Sequence, residues 1–177
     1  MTVKTDREIL ELCAEALESV DSAERNDFIN RLTVCKRVFI FGVGRSGLIG
    51  QAFSVRLVQL GFTVYFVGDM TTPVPREDDL TVLVSNTGMT MSVVRTAEIA
   101  RRIGSHVISV TSNIGSDLAL ASDSTILIAT ISDAEKAPLG TVFEDSVLLF
   151  FDGLVPDLMN RLGINEEDMR NHHAIWV

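Results

Sequence analysis

The sequence predicts an α/β fold: a doubly wound, five-stranded parallel sheet in the order 2-1-3-4-5, with helices on both faces. Three observations predict it. Short apolar runs rich in Val, Ile, Leu and Phe recur at 37–41, 62–67, 80–85, 107–111 and 125–129, with helical patterns between most of them. Strands that alternate with helices at this spacing pair in parallel. Each run is continuously apolar rather than alternating, as in a sheet covered on both faces. Finally, the first strand breaks into Gly42-Val43-Gly44-Arg45-Ser46-Gly47 before a helix over 48–60, a strand–turn–helix unit that can hold an anion on helix N–H groups.

Two helices precede the first strand. Residues 5–19 place Ile9, Leu10, Leu12, Cys13, Ala16, Leu17 and Val20 on one stripe, with acidic residues opposite. A shorter helix is expected over 22–31, opening at Ser22-Ala23-Glu24-Arg25, with Phe28, Ile29 and Leu32 on its apolar side. This pair either pads the sheet or meets another subunit. After the second strand, Gly68-Asp69 leads into a loop with Thr71, Thr72, Pro73 and Pro75. The third strand runs into Ser85-Asn86-Thr87-Gly88-Met89-Thr90, followed by a helix over 91–103 and a short one over 117–121. Past an irregular loop at 131–140, a long apolar helix is expected over 141–162, kinked or divided by Pro156. Asn165 then caps a last helix whose first turn is acidic. Met70, Met89 and Met91 read as packing residues.

One domain is expected over 1–177: a helical pair at 1–34, a βα core at 36–130, and C-terminal helices with a tail at 141–177. The composition is that of an ordinary globular domain, 46% hydrophobic and 22% charged. A net charge of −9 without a basic run argues against a nucleic-acid surface. Two separated thiols, Cys13 and Cys35, suit a reducing cytoplasm. There is no apolar leader or run of membrane-spanning length, so a cytoplasmic protein without membrane partners is expected.

In a doubly wound sheet, ligands sit at the carboxyl ends of the strands where the order switches. The loops after strands one and three, at 42–47 and 85–90, flank that switch and should converge. Ser46, Ser85, Thr87 and Thr90 offer four hydroxyls there beside free helix N–H groups, a set suited to a phosphate monoester on a polyol. Any one of these hydroxyls could serve as a helix cap, but the cluster exceeds what one cap requires. The first loop also satisfies G-x-G-x-x-G, and Asp69 lies about 20 residues on, where a dinucleotide enzyme places its ribose-binding acid. A dehydrogenase would leave the second loop without a clear purpose.

These residues carry a resemblance. Gly42-x-Gly44-x-Ser46-Gly47 followed by Ser85-x-Thr87-Gly88-x-Thr90 resembles the sugar isomerase (SIS) domain. Within that superfamily, Gly-x-Gly-Arg-Ser-Gly, Gly68-Asp69-x-Thr71-Thr72-Pro73, Gly140-Thr141-x-Phe143-Glu144 and a histidine near the C-terminus are similar to the 6-phospho-3-hexuloisomerase family. The resemblance implies interconversion of 3-hexulose 6-phosphate and fructose 6-phosphate without a cofactor, in the ribulose monophosphate route of formaldehyde fixation. It also implies a homotetramer with active sites near subunit boundaries. The chain departs from the family pattern at Asn86, where glycine is usual, at Met89, and in its tail. There His173 takes the histidine position, His172 an arginine position and Ile175 an asparagine position.

Moving a carbonyl between C3 and C2 through a cis-enediol needs a base and an acid near the oxygens. From position alone, Glu144 in a first helical turn would complement the helix dipole; the resemblance makes it the base. His173 is, by the same resemblance, its acid–base partner or oxygen proton shuttle, while His106 at a strand start reads as structural. Gly44, Arg45, Ser46, Ser85, Asn86, Thr87, Gly88 and Thr90 are the candidate substrate and phosphate ligands, with Arg45 facing either substrate or a salt bridge at an interface. Asp69, Thr72 and His172 are secondary candidates. The same fold also serves non-catalytic sugar-phosphate sensors and other sugar-phosphate isomerases.

Overall fold

The computed structural model describes residues 2–130 and 135–172. Five parallel strands form one sheet in the order 2-1-3-4-5: β1 (Val38–Gly42), β2 (Val64–Phe66), β3 (Leu80–Val84), β4 (His106–Thr111) and β5 (Ser124–Leu127). In register, Gly42 pairs with Val84, so the loops after β1 and β3 leave neighbouring strands side by side. This is the expected switch in strand order. The second strand is shorter than its apolar run.

The two faces of the sheet are covered unequally. Val38, Ile40, Val82, Val84, Ile108, Val110 and Ile126 point to the larger core. That face carries the helices α1 (Thr2–Glu18), α2 (Ser22–Val34), α3 (Gly44–Gln59) and α6 (Thr141–Leu162), with α7 (Glu166–Asn171) against α3. The other face is covered by α4 (Met91–Ile103) and the short α5 (Asp117–Leu120), over a smaller cluster that includes Leu83, Val93, Ala97 and Val107. Here the strands do alternate, carrying the hydroxyl pairs Thr81–Ser105 and Ser109–Thr125, each 2.8 Å apart. Every buried hydroxyl of these pairs therefore has a partner.

Three local expectations need correction. The helix after the glycine turn starts at Gly44 rather than 48, because Gly47 lets the first turn lie directly on β1. A side chain on Gly47 would meet the Gly42 carbonyl at 2.5 Å. Pro156 does not divide α6, which is continuous over 22 residues. The proline removes one backbone donor, but Arg25 clamps the same turn from outside, bonding the Gly153 carbonyl and Asp157, while Leu154 and Leu158 are buried on either side of it. α2 opens at Ser22 as expected, capped by Asp21, whose carboxylate accepts from the N–H groups of Ala23 and Glu24. Leu10, Met70, Met89 and Met91 are exposed rather than packed.

Among the aromatic residues, Phe53 of α3 and Phe151 of α6 stack at 4.0 Å between centroids, and Phe28 of α2 meets both edge-on. This cluster fixes α3 and α6 against each other. The amino edge of the sheet is closed by the Arg37–Asp79 ion pair, with Arg37 also lying over the Phe39 ring. His106 stands at that edge, its pKa pushed down by burial and by Arg31 despite Asp123 nearby.

Candidate active site

Three long helices, α3, α4 and α6, begin at the carboxyl edge of the sheet, so the positive ends of their dipoles gather there. The first-turn N–H groups of a helix have no partner within it. No side chain caps either α3 at Val43 or α4 at Thr90. The hydroxyls in these turns do something else. Ser46 donates to Glu144 Oε1 at 3.2 Å, and Ser85 donates to Thr90 Oγ1 at 3.3 Å. Thr87 is exposed, its hydroxyl accepting from the Met89 N–H at 3.3 Å. The uncapped N–H groups of two helices and this hydroxyl cluster therefore share one edge.

Glu144 is the buried charge of the site, with its side chain 7% exposed. It lies in the first turn of α6 and reaches across to the first turn of α3. Arg45 Nε donates to its Oε2 at 3.0 Å while Ser46 holds Oε1, and Arg45 also approaches Asp145 at 3.5 Å. A carboxylate has about four lone-pair positions. One donor on each oxygen leaves both oxygens able to take a proton. Within the subunit Arg45 is engaged in this ion pair.

The chain enters α6 through two left-handed residues, Leu139 (φ 54°) and Gly140 (φ 85°). Gly140 is pressed against the second loop. A methyl group there would collide with Asn86 Nδ2 and come within 3.6 Å of Glu144 Oε2. Asn86 and Glu144 thus border the same point, although 58 positions separate them in sequence. Sequence reasoning placed Asn86 and Glu144 in the site but gave no role to Gly140.

It also missed the support behind the second loop. The Asn86 carbonyl accepts from Thr111 Oγ1 at 2.9 Å, Ser112 N–H at 3.0 Å and Ser112 Oγ at 2.9 Å. The Gly88 carbonyl accepts from the Leu118 N–H at 3.0 Å. Thr111 and Ser112 form a hydroxyl pair at the carboxyl end of a strand next to the switch, which was the available signal.

The secondary candidates stand apart. Asp69 is exposed in the turn after β2, and the Thr72 hydroxyl is spent on the Phe66 carbonyl at 3.0 Å. His172 Nδ1 lies 3.2 Å from the Gln59 carbonyl, at the far end of α3 from Glu144. His173 and Ile175 lie outside the described residues. A surface concavity of about 570 Å³ beside Arg76 and Asp78 is at the opposite edge of the sheet and gathers none of these groups.

Comparison with known proteins bears on this geometry. The SIS domain family model matches residues 31–151, from the second helix to the middle of α6. The chain belongs to the SIS domain family. It is 39% identical over 149 residues to a protein of Methanocaldococcus jannaschii named 3-hexulose-6-phosphate isomerase, covering 84% of this chain and 82% of the relative. A Bacillus subtilis protein of the same name is 30% identical over 185 residues, covering 97% and 98%. A Methanococcus jannaschii crystal structure, described as inferring a molecular function of 3-hexulose-6-phosphate isomerase, superposes with a TM-score of 0.88. It has 34% identity and covers 96% of this chain and 99% of that one. No helix among the described residues is long and apolar enough to cross a membrane.

Proposed function

We propose that this SIS domain protein interconverts 3-hexulose 6-phosphate and fructose 6-phosphate through a cis-enediol. The observation that carries the proposal is Glu144: a buried carboxylate, fixed by Arg45 and Ser46, beside a loop of hydroxyls and uncapped helix N–H groups. The relatives named above support the choice of sugar. The phosphate lies on the N-terminal turns of α3 and α4, with Ser46, Ser85, Thr87 and Thr90 around it. Glu144 removes the proton from C2 as the C3 carbonyl oxygen gains one, giving the enediol. The C2 hydroxyl then loses its proton and C3 receives one, leaving the carbonyl at C2. Atoms balance with no external donor, and one base on one face of the enediol can serve both carbons.

His173 is the oxygen proton shuttle in this scheme. The resemblance to the family assigns it this role, in a homotetramer whose active sites lie near subunit boundaries. The cell setting that fits the substrate is the cytoplasm, in the ribulose monophosphate route of formaldehyde fixation. The test is a coupled assay in which purified protein receives 3-hexulose 6-phosphate and the appearance of fructose 6-phosphate is followed. Turnover should fall at least about a hundredfold in Glu144→Gln, the usual size of a general-base effect. Turnover that survives the substitution removes Glu144 from the mechanism.

A further inference from the structure

We infer that the Asn86 carboxamide is a second hydrogen-bonding group at the reacting carbons, aimed by Ser112, which acts as a positioning residue through it. The inference rests on the isomerase reading and deepens it. Asn86 stands where the family pattern has glycine, so its side chain adds a group that the phosphate loop itself does not need. That side chain is not free to rotate. The Ser112 hydroxyl sits 2.8 Å from Asn86 Oδ1 and 2.9 Å from the Asn86 carbonyl, so one hydroxyl grips both the side chain and the backbone of the same residue. Thr111 and the Ser112 N–H hold that carbonyl from the end of β4 as well. With Oδ1 engaged, Nδ2 is turned toward Gly140, at the point that Glu144 Oε2 also borders.

The chemistry at that point is specific. When a proton leaves carbon, negative charge builds on the adjacent oxygen, and a fixed N–H donor there lowers the barrier. Nδ2 is such a donor, and it lies across from the carboxylate that takes the proton. Gly140 leaves the space between them open, since any side chain at that position would fill it. Ser112 touches neither sugar nor phosphate in this arrangement. It fixes the angle of the amide. The hydroxyls of Ser85, Thr87 and Thr90 remain for the phosphate.

Four variants and two readouts test this. In the coupled assay, Asn86→Gly should lower kcat about tenfold with KM nearly unchanged, the effect of one hydrogen bond to a charged oxygen. Asn86→Asp, which removes the donor and places a carboxylate beside Glu144, should lower it at least about a hundredfold. Ser112→Ala should follow Asn86→Gly, and Ser112→Thr should restore most of the rate because it keeps the hydroxyl. Calorimetric binding of inorganic phosphate should be the same in Asn86→Gly, Ser112→Ala and Ser112→Thr. Equal kcat in Asn86→Gly and wild type, or weakened phosphate binding with kcat intact, overturns the inference and leaves the isomerase reading standing. A wild-type protein inert toward both sugar phosphates overturns the reading and the inference together.

Discussion

Both oxygens of Glu144 are held by groups from the first turn of α3, and this is the residue-scale fact from which the chemistry follows. Arg45 and Ser46 are consecutive, yet they contact different oxygens, so the carboxylate plane is fixed while one lone pair on each oxygen stays available. Arg45→Met should therefore lower kcat about tenfold and leave KM nearly unchanged, because it frees the base to rotate. A raised KM with unchanged kcat would instead assign Arg45 to the substrate. Much of this candidate site was legible beforehand, since Ser46, Ser85, Asn86 and Thr90 stand in short motifs after strands, whereas Glu144 was singled out only through the family resemblance. The partner of Arg45 was not legible. Nothing local records a contact across 99 positions, and the roles of Gly140 and Ser112 depend on the same kind of tertiary approach.

Elements explain why the base is rigid. The stacked Phe53 and Phe151 rings, with Phe28 against their edges, lock α3 to α6 one face away from the site. Phe151→Ala should destabilise the fold by about 3–5 kcal/mol in urea unfolding, as expected for a fully buried aromatic. Strand positions and helix types could be read from period and length. Element ends could not, because they depend on packing. The start of α3 at Gly44 follows from the absence of a side chain on Gly47, and continuity through Pro156 follows from the Arg25 clamp. Phe28, Phe53 and Phe151 were readable as apolar, but not as one cluster.

Across the whole molecule, the order 2-1-3-4-5 brings the loops after β1 and β3 together, and the helices that follow them begin there. That much is dictated by topology. Leu48, Val55 and Val58 of α3 and Leu149 of α6 are exposed, as are the three methionines expected to pack. For the homotetramer proposed above, sedimentation equilibrium should return four times the chain mass of 19.4 kDa. A monomer at micromolar concentration would contradict the homotetramer.

The central claim is that a carboxylate at position 144 moves a proton on and off a carbon of a ketose phosphate. Proton NMR of fructose 6-phosphate incubated with the protein in deuterium oxide tests it without needing the rarer sugar. The C3 proton signal should fade with wild-type protein, persist with Glu144→Gln, and leave the C1 protons untouched. Exchange confined to C1, or C3 exchange undiminished in Glu144→Gln, would contradict the account.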